Sequence, residues 1–209
     1  MTDYSKIDFS PLIDAAEGEV ITHSYVRDVT LPSGGTMALI TLDNGEDHTR
    51  PNTLGPRTLS ELHGVLDSVA TRAAAGEIKS VGITGKQFIF AAGADLSKVS
   101  SLGGRENARL MAQYGHFVFG KLNKLGVPSF AFVNGLALGG AVEIALNCDY
   151  RTIDSSAAAI AFPEVFLGII PGWGGATLVP NLIGIENAIE VVVSNPLKNN
   201  RMLKPKQAH

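Results

Sequence analysis

The sequence predicts an α/β protein in which a partly parallel sheet is flanked by helices. Short apolar, β-branched runs alternate along the chain with segments of helical spacing, an order typical of strands joined by crossover helices. The chain has 209 residues, enough to bury one core. Hydrophobic residues make up 45% of it, charged residues 18%, and there are 23 glycines. This composition fits a soluble, glycine-rich protein of that class.

Spacing and turn residues predict the individual elements. Strands are indicated by short runs that end at glycine, proline or asparagine. Helices are indicated where apolar residues recur every three or four positions, as Leu59, Leu62, Leu66 and Val69 do. The predicted elements are strands at 20–31 and 37–43, a helix at 58–75, a strand at 78–84, a helix at 105–124, a strand at 128–133, a helix at 139–147, strands at 150–153 and 158–162, and mostly helix from 177 onward.

Charge and cysteine content exclude several classes of partner. The net charge is −3 and lysine and arginine are dispersed, which argues against a nucleic-acid groove or an anionic membrane as the main partner. The single cysteine, Cys148, cannot form an internal disulfide and fits a reducing compartment. No apolar signal segment precedes residue 17, and the apolar stretch 125–148 is interrupted by proline, glycine and glutamate. We therefore predict a cytoplasmic protein.

Glu143 and Glu164 are isolated charges in apolar segments. Glu143 is the single charged residue between positions 125 and 148, and Glu164 between positions 155 and 171. A carboxylate is costly to bury, so such a residue usually has a partner or a chemical role. Each follows closely after a predicted strand, and α/β proteins build sites where strand ends meet. We expect the two carboxylates to face each other across a small cavity.

A structural interpretation of the two acids is also open. Glu143 lies in the first turn of the predicted helix that begins at Gly139-Gly140, and Glu164 follows Pro163, a residue suited to the first position of a helix. The helix dipole favours acids at such positions. Composition alone favours this structural role over acid–base chemistry.

Two turns rich in small residues predict an anion-stabilising site. Residues 89–95 read Ile-Phe-Ala-Ala-Gly-Ala-Asp, and residues 134–140 read Asn-Gly-Leu-Ala-Leu-Gly-Gly. Small side chains let a ligand approach the backbone, and free N–H groups at a helix start attract negative charge. One N–H from each turn, aimed at one oxygen, would form an oxyanion hole. For either turn alone, an ordinary tight turn is the simpler interpretation.

Three motifs together resemble the crotonase superfamily, the enoyl-CoA hydratases and isomerases. They are Phe-Ala-Ala-Gly-Ala-Asp-Leu at 90–96, Val-Asn-Gly-Leu-Ala-Leu-Gly-Gly-Ala-Val-Glu at 133–143, and Phe-Pro-Glu-Val-Phe-Leu-Gly-Ile-Ile-Pro-Gly-Trp-Gly-Gly at 162–175. The similarity runs from about residue 37 to the C-terminus. Loop 45–54 and the C-terminal part look most like the hydratase portion of bifunctional enoyl-CoA hydratase/3-hydroxyacyl-CoA dehydrogenases.

The resemblance implies a ββα-type spiral core with flanking helices and a definite set of site residues. Oxyanion-hole N–H groups are implied at Ala94 and Gly140, and catalytic carboxylates at Glu143 and Glu164. Having both acids favours hydration over isomerisation alone. The substrate-binding residues implied or inferred are Ala92, Gly93, Asp95, Lys98, Gly172 and Trp173. Trp173 fits the acyl pocket or core packing equally well.

The phosphates of CoA require basic groups, and here the match to the family is loose. Lys86, Lys98 and Arg50 lie near the motifs, and a solvated surface charge is the better explanation for each.

The implied activity is addition of water across the 2,3 double bond of a trans-2-enoyl-CoA in fatty-acid β-oxidation, with no cofactor besides the CoA of the substrate. The two N–H groups polarise the thioester carbonyl, Glu143 activates water for attack on C3, and Glu164 delivers a proton to C2. An isomerase of the same family and a non-catalytic acyl-CoA-binding or assembly module are the alternatives. A nicotinamide dehydrogenase is disfavoured, because the glycine run at 172–177 ends in threonine where the dinucleotide motif needs glycine.

The domain prediction is a catalytic core at 1–194 followed, at 195–209, by the start of an incomplete C-terminal helical region. The last eight residues read as the opening turn of a helix, and a single turn does not hold itself in water. We expect apolar faces around 178–183 and 188–193 to be left open, which favours self-association. The family resemblance implies a trimer.

Overall fold

The computed structural model describes residues 3–95 and 104–208. Within them the chain forms two sheets surrounded by helices. The strands are β1 His23–Thr30, β2 Thr36–Asp43, β3 Ser80–Gly85, β4 Phe88–Ala91, β5 Ser129–Val133, β6 Gly135–Leu138, β7 Tyr150–Ile153 and β8 Ile160–Ala161. The helices are α1 Ser10–Asp14, α2 Pro56–Ala74, α3 Gly104–Phe119, α4 Gly140–Asn147, α5 Gly175–Ile183, α6 Ile185–Ile189, α7 Asn195–Leu197 and α8 Pro205–Ala208.

Short irregular helices complete the outline. Single 3-10 turns occupy Tyr4–Lys6, Leu122–Lys124 and Val165–Leu167, and a π-helical turn spans Glu190–Ser194. In the part of the chain that the structure describes, none of the helices combines the length and apolar character needed to cross a bilayer.

The larger sheet has the strand order β1-β2-β3-β5-β7. Strand β1 pairs antiparallel with β2, and the remaining pairs are parallel, as the alternating pattern predicts. Inward-facing Ile40 and Leu42 of β2 are fully buried, as are Leu59, Leu62 and Leu66 on one stripe of α2. The inward-facing residues of strand β2 and the apolar stripe of helix α2 therefore pack in one core. This arrangement confirms the predicted fold class.

The smaller sheet, β4-β6-β8, was not predicted and corrects the sequence analysis. Residues 89–95 and 134–140 were expected to be turns, yet each contains strand residues, and β4 and β6 pair in parallel. Strands of four residues are too short to display an alternating pattern, and their hydrogen-bond partners are distant in sequence. A Cβ at Gly135 would lie 1.9 Å from the Phe88 carbonyl oxygen, so only glycine allows this close backbone approach.

Two asparagines connect the sheets, Asn52 fully buried and Asn134 half-buried. The Asn134 amide nitrogen donates to the carbonyls of Gly85 and Lys86 at 3.0 and 2.8 Å, and its oxygen accepts from Gly85 N at 3.1 Å. Asn52 donates to the carbonyls of Leu42 and Phe90 at 2.8 and 3.2 Å. These bonds hold the chain where it crosses between the large and the small sheet, and so they position β4 and the start of β6.

Candidate active site

The three parallel strands of the small sheet end at one edge, where the predicted site residues follow them. Strand β4 leads into residues 92–94, β6 into Gly139-Gly140, and β8 into Pro163-Glu164. Carboxyl ends of parallel strands are where α/β proteins place ligands. A cavity of about 230 Å³ lies at this edge.

Eight of the ten predicted site residues line this cavity, which brings together segments more than 70 positions apart. They are Ala92, Gly93, Ala94, Gly140, Glu143, Glu164, Gly172 and Trp173. Asp95 is described by the structure but is not one of the lining residues. Lys98 lies outside the described residues.

The two turns predicted to supply N–H groups touch each other. Gly93 has a φ of +79°, and a Cβ there would lie 2.7 Å from the Leu138 carbonyl oxygen and 3.0 Å from the Gly140 nitrogen. Gly140 is the first residue of α4, where backbone N–H groups have no acceptor within the helix. The geometry therefore places the Gly140 N–H beside the 92–94 segment on the cavity wall.

Gly139 makes room for the Glu164 carboxylate. Its φ of +52° disfavours any side chain, and a Cβ there would lie 2.5 Å from Glu164 Oε1. Glu164 precedes only the three-residue 3-10 turn Val165–Leu167, not the helix that Pro163 had suggested. The helix-dipole explanation for an acid is consequently weak at this position.

Glu143 is held in place by two backbone donors. It is 1% exposed, and its Oε1 accepts from Trp173 N at 2.8 Å and from Gly175 N at 2.7 Å. Burial raises the pKa of Glu143, and the hydrogen bonds from Gly175 and Trp173 oppose this by stabilising the charged form. One oxygen of Glu143 thus fixes the first residues of α5 while the side chain borders the cavity.

Glu164 has the properties of a proton donor and acceptor near neutral pH. It is 8% exposed, and its Oε2 is buried without a hydrogen-bond partner among the described residues. Burial, followed by repulsion from the Glu143 charge, raises the pKa of Glu164 to about 7. A carboxyl group with this pKa is populated in both protonation states at neutral pH, which suits general acid–base work.

The raised pKa predicts that Glu164 destabilises the fold at higher pH. The folded state retains a proton that the unfolded state has released, so stability falls as pH rises from about 4.5 to about 7 and then levels off. Replacing Glu164 with glutamine removes this charge. We expect the variant to exceed the original chain in unfolding free energy by on the order of 1–3 kcal/mol at pH 8, with a much smaller difference at pH 5. Urea unfolding at the two pH values measures it, and a difference independent of pH would contradict the assignment.

Trp173 is a buried side chain that also lines the cavity. Its indole Nε1 donates to the Met111 carbonyl at 3.0 Å, and its ring packs edge-on against Phe119 with centroids 5.3 Å apart. The same ring lies against Gly140, since a Cβ there would be 2.2 Å from Trp173 Cζ3. Trp173 is therefore a core side chain that also forms part of the cavity wall.

Lys86 is not a surface charge, which corrects the sequence analysis. It is buried, and its Nζ donates to Asn44 Oδ1 at 2.5 Å and to the carbonyls of Glu46, Asp47 and Arg50 at 2.7–2.9 Å. Four acceptors occupy the ammonium group, so Lys86 organises loop 44–50 instead of offering a free charge to a phosphate.

Sequence reasoning also missed Asn52, whose carbonyl accepts from Ala92 N at 2.8 Å at the edge of the site. Its position in a polar, proline-containing loop gave no signal of burial.

This arrangement can polarise and protonate a bound molecule within one small space. It combines a helix-start N–H, two buried carboxylates whose pKa values are both raised, and otherwise apolar walls. Such a set is suited to acid–base chemistry next to an oxygen that gains negative charge.

Comparison with known proteins identifies the family of this chain. The family model described as enoyl-CoA hydratase/isomerase matches residues 33–198. The chain belongs to the enoyl-CoA hydratase/isomerase family, as the resemblance to the crotonase superfamily implied. Over 175 residues it is 38% identical to the fatty acid oxidation complex subunit alpha of Shewanella amazonensis, a match that covers 82% of this chain and 23% of that protein. The chain thus spans less than a quarter of this relative's length.

Solved structures share the fold. DspI of Pseudomonas aeruginosa superposes with a TM-score of 0.75 at 29% identity, covering 92% of this chain and 72% of that one. An enoyl-CoA hydratase from Bacillus anthracis superposes with a TM-score of 0.71 at 30% identity, covering 81% and 62% respectively. The crotonase-type architecture is therefore confirmed.

Proposed function

We propose that the chain catalyses the reversible addition of water to the 2,3 double bond of a trans-2-enoyl-CoA. The observation that carries the proposal is the pair of buried carboxylates in one cavity, of which Glu164 has a pKa of about 7 and an unpartnered buried oxygen. A hydration needs one group that orients water and one that supplies a proton. Isomerisation alone needs only a proton to be moved between carbons, so two acids in one cavity favour hydration.

The Glu143–Glu164 pair would handle two protons as a coupled unit. Water held between the carboxylates attacks C3, forming the C3–O bond while the π electrons move toward the thioester. Protonated Glu164 gives its proton to C2, and the proton lost by water goes to Glu143. Transfer within the pair then restores the starting state, so atoms and charge balance over a turnover.

The N–H groups of Ala94 and Gly140 would stabilise the enolate oxygen that forms during this step. Their role is supported by the contact between residues 92–94 and the start of α4. Donors of this kind contribute about 2.7–4 kcal/mol each to transition-state stabilisation. No cofactor is required beyond the CoA that forms part of the substrate.

The decisive experiment follows the absorbance of the 2-enoyl thioester after crotonyl-CoA is mixed with the purified chain. We expect the absorbance to fall to a hydration equilibrium and 3-hydroxybutyryl-CoA to appear by mass spectrometry. Formation of a 3-enoyl isomer without hydroxyacyl product would favour the isomerase. Binding of crotonyl-CoA without any conversion would favour the non-catalytic acyl-CoA-binding module.

The cellular setting and the assembly are also proposals. The name of the Shewanella relative supports a place in fatty-acid oxidation, and we propose a cytoplasmic location.

Exposed Leu182, Ile185, Ile189 and Leu197 give the C-terminal helices an apolar surface. Such a surface supports self-association, and a trimer is the expected state. The division into a core at 1–194 and a helical region from 195 stays a prediction.

A further inference from the structure

The loop that follows Glu164 presents an unusual apolar surface. Four of its five residues between positions 166 and 170 are large and exposed, with Ile170 reaching 69%. They are Phe166, Leu167, Ile169 and Ile170. Contiguous exposed apolar residues of this kind usually mark a binding surface. Leu167, Ile169 and Ile170 also line the cavity that contains the two carboxylates, so the surface is continuous with that cavity.

Helix α3 contributes a second apolar border to the same cavity. Ala108, Met111 and Ala112 line it, and their spacing of three and four positions places them on one helical face. Met111 is buried, Ala112 is half-buried and Ala108 is exposed, so this face runs from the interior of the cavity to its opening. Because two of the three residues are alanine, the described part of the helix leaves space along the face.

Burial along the cavity gives it a direction. The carboxylates of Glu143 and Glu164 lie at the buried end with Trp173, while Ala108 and Ile170 lie at the exposed end. When the reacting carbons of an acyl group lie between the carboxylates, only a short part of its alkyl chain fits inside a cavity of about 230 Å³. The remaining carbons must pass through the opening, where both helix α3 and the loop after Glu164 are apolar.

We propose that the distal part of the acyl chain leaves the cavity between helix α3 and residues 166–170, and that Ile169 and Ile170 set a preference for long acyl chains over short ones. This inference rests on the proposed function for its choice of ligand, an acyl-CoA with an extended alkyl chain. The loop is chemically suited to an alkyl chain, because it presents large aliphatic side chains and has no charged residue from Val165 to Ile170. Each methylene buried against such a surface strengthens binding by about fourfold.

The test compares chain lengths in the variant Ile169→Ser/Ile170→Ser. We expect the ratio of kcat/KM for trans-2-decenoyl-CoA over crotonyl-CoA to fall by about tenfold, the loss of roughly two methylene contacts. A matched control is Val20→Ser, since Val20 is 53% exposed and does not line the cavity. This control is expected to leave the ratio unchanged.

Calorimetric binding of saturated decanoyl-CoA and butyryl-CoA separates this inference from the proposed reaction, because neither ester can be hydrated. We expect the original chain to bind decanoyl-CoA more tightly and Ile169→Ser/Ile170→Ser to lose about tenfold of that preference. If no enoyl-CoA is hydrated but this pattern holds, the proposed reaction fails and the acyl surface stands. An equal affinity for the two esters, no binding of either, or a preference that survives the substitutions overturns the inference.

Discussion

Replacing Glu164 with glutamine is expected to lower kcat for hydration of crotonyl-CoA by about 10²–10⁴-fold, the range that general acid–base catalysis provides. Glutamine keeps the shape of the side chain beside Gly139 but can neither carry nor release the proton destined for C2. Since the substitution also removes a buried charge, the variant is expected to be at least as stable as the original chain at pH 8. Loss of turnover with gain of stability is the signature of a group retained for chemistry.

The comparison with Glu143 and with a surface acid makes the result specific. Glu143→Gln is expected to lose turnover to a similar degree, because glutamine cannot take up the proton that water loses. The amide oxygen of glutamine can still accept from Trp173 N and Gly175 N, so the start of α5 is preserved. Glu186→Gln, in the first turn of α6 and exposed, is expected to retain full turnover. Turnover that persists in both site variants would remove the proposed mechanism.

Replacing Gly140 with alanine is expected to damage both the oxyanion site and the packing around it. The new Cβ would lie 2.2–2.3 Å from two ring atoms of Trp173, a rigid side chain held by its bond to the Met111 carbonyl. Relieving such overlap in a packed region costs about 1–3 kcal/mol of stability. The substitution is also expected to lower kcat by about 10²–10³-fold, because it moves the Gly140 N–H away from the substrate oxygen and one oxyanion donor is lost.

The matched control for this substitution is Gly64→Ala in helix α2. A Cβ at Gly64 meets no atom within 4 Å, and alanine is favoured over glycine inside a helix by about 1 kcal/mol. We expect this variant to be as stable as the original chain or slightly more so, with unchanged turnover. Circular dichroism melting and the crotonyl-CoA assay together measure both variants. A Gly140→Ala protein with normal turnover would exclude this N–H from catalysis.

Periodicity predicted the large elements well because their burial pattern is local. Helix α2 lies within two residues of its predicted bounds, and strands β5 and β7 were predicted to within one residue. The helix predicted at 105–124 ends instead at Phe119, and Gly120 and a 3-10 turn follow it. Glycine at position 120 disfavours continuation of the helix. These differences concern element ends, which a single sequence specifies weakly.

The candidate site was predicted residue by residue from isolation of charge and from motif resemblance. Glu143 and Glu164 stood out because they are lone carboxylates in apolar segments, and that isolation corresponds to their burial in the structure. Lys86 misled because a buried lysine whose ammonium group meets four oxygens looks the same, in sequence, as one that reaches solvent. Asn52 and Asn134 left no pattern, since their partners lie 8–49 positions away.

The alternation of strands and helices, the two isolated acids in apolar segments and the small residues near them could all be recognised in the sequence alone. The pairing of β4, β6 and β8 into a second sheet could not, although the shared edge of that sheet brings the end of β4, Gly140 and Glu164 together. The reason is physical: strand pairing and the pKa of a carboxyl group depend on groups far away in sequence, whereas periodicity reports only neighbours. The pKa of Glu164 is raised to about 7 because burial in the cavity, and then repulsion from the Glu143 charge, disfavour the ionised carboxylate.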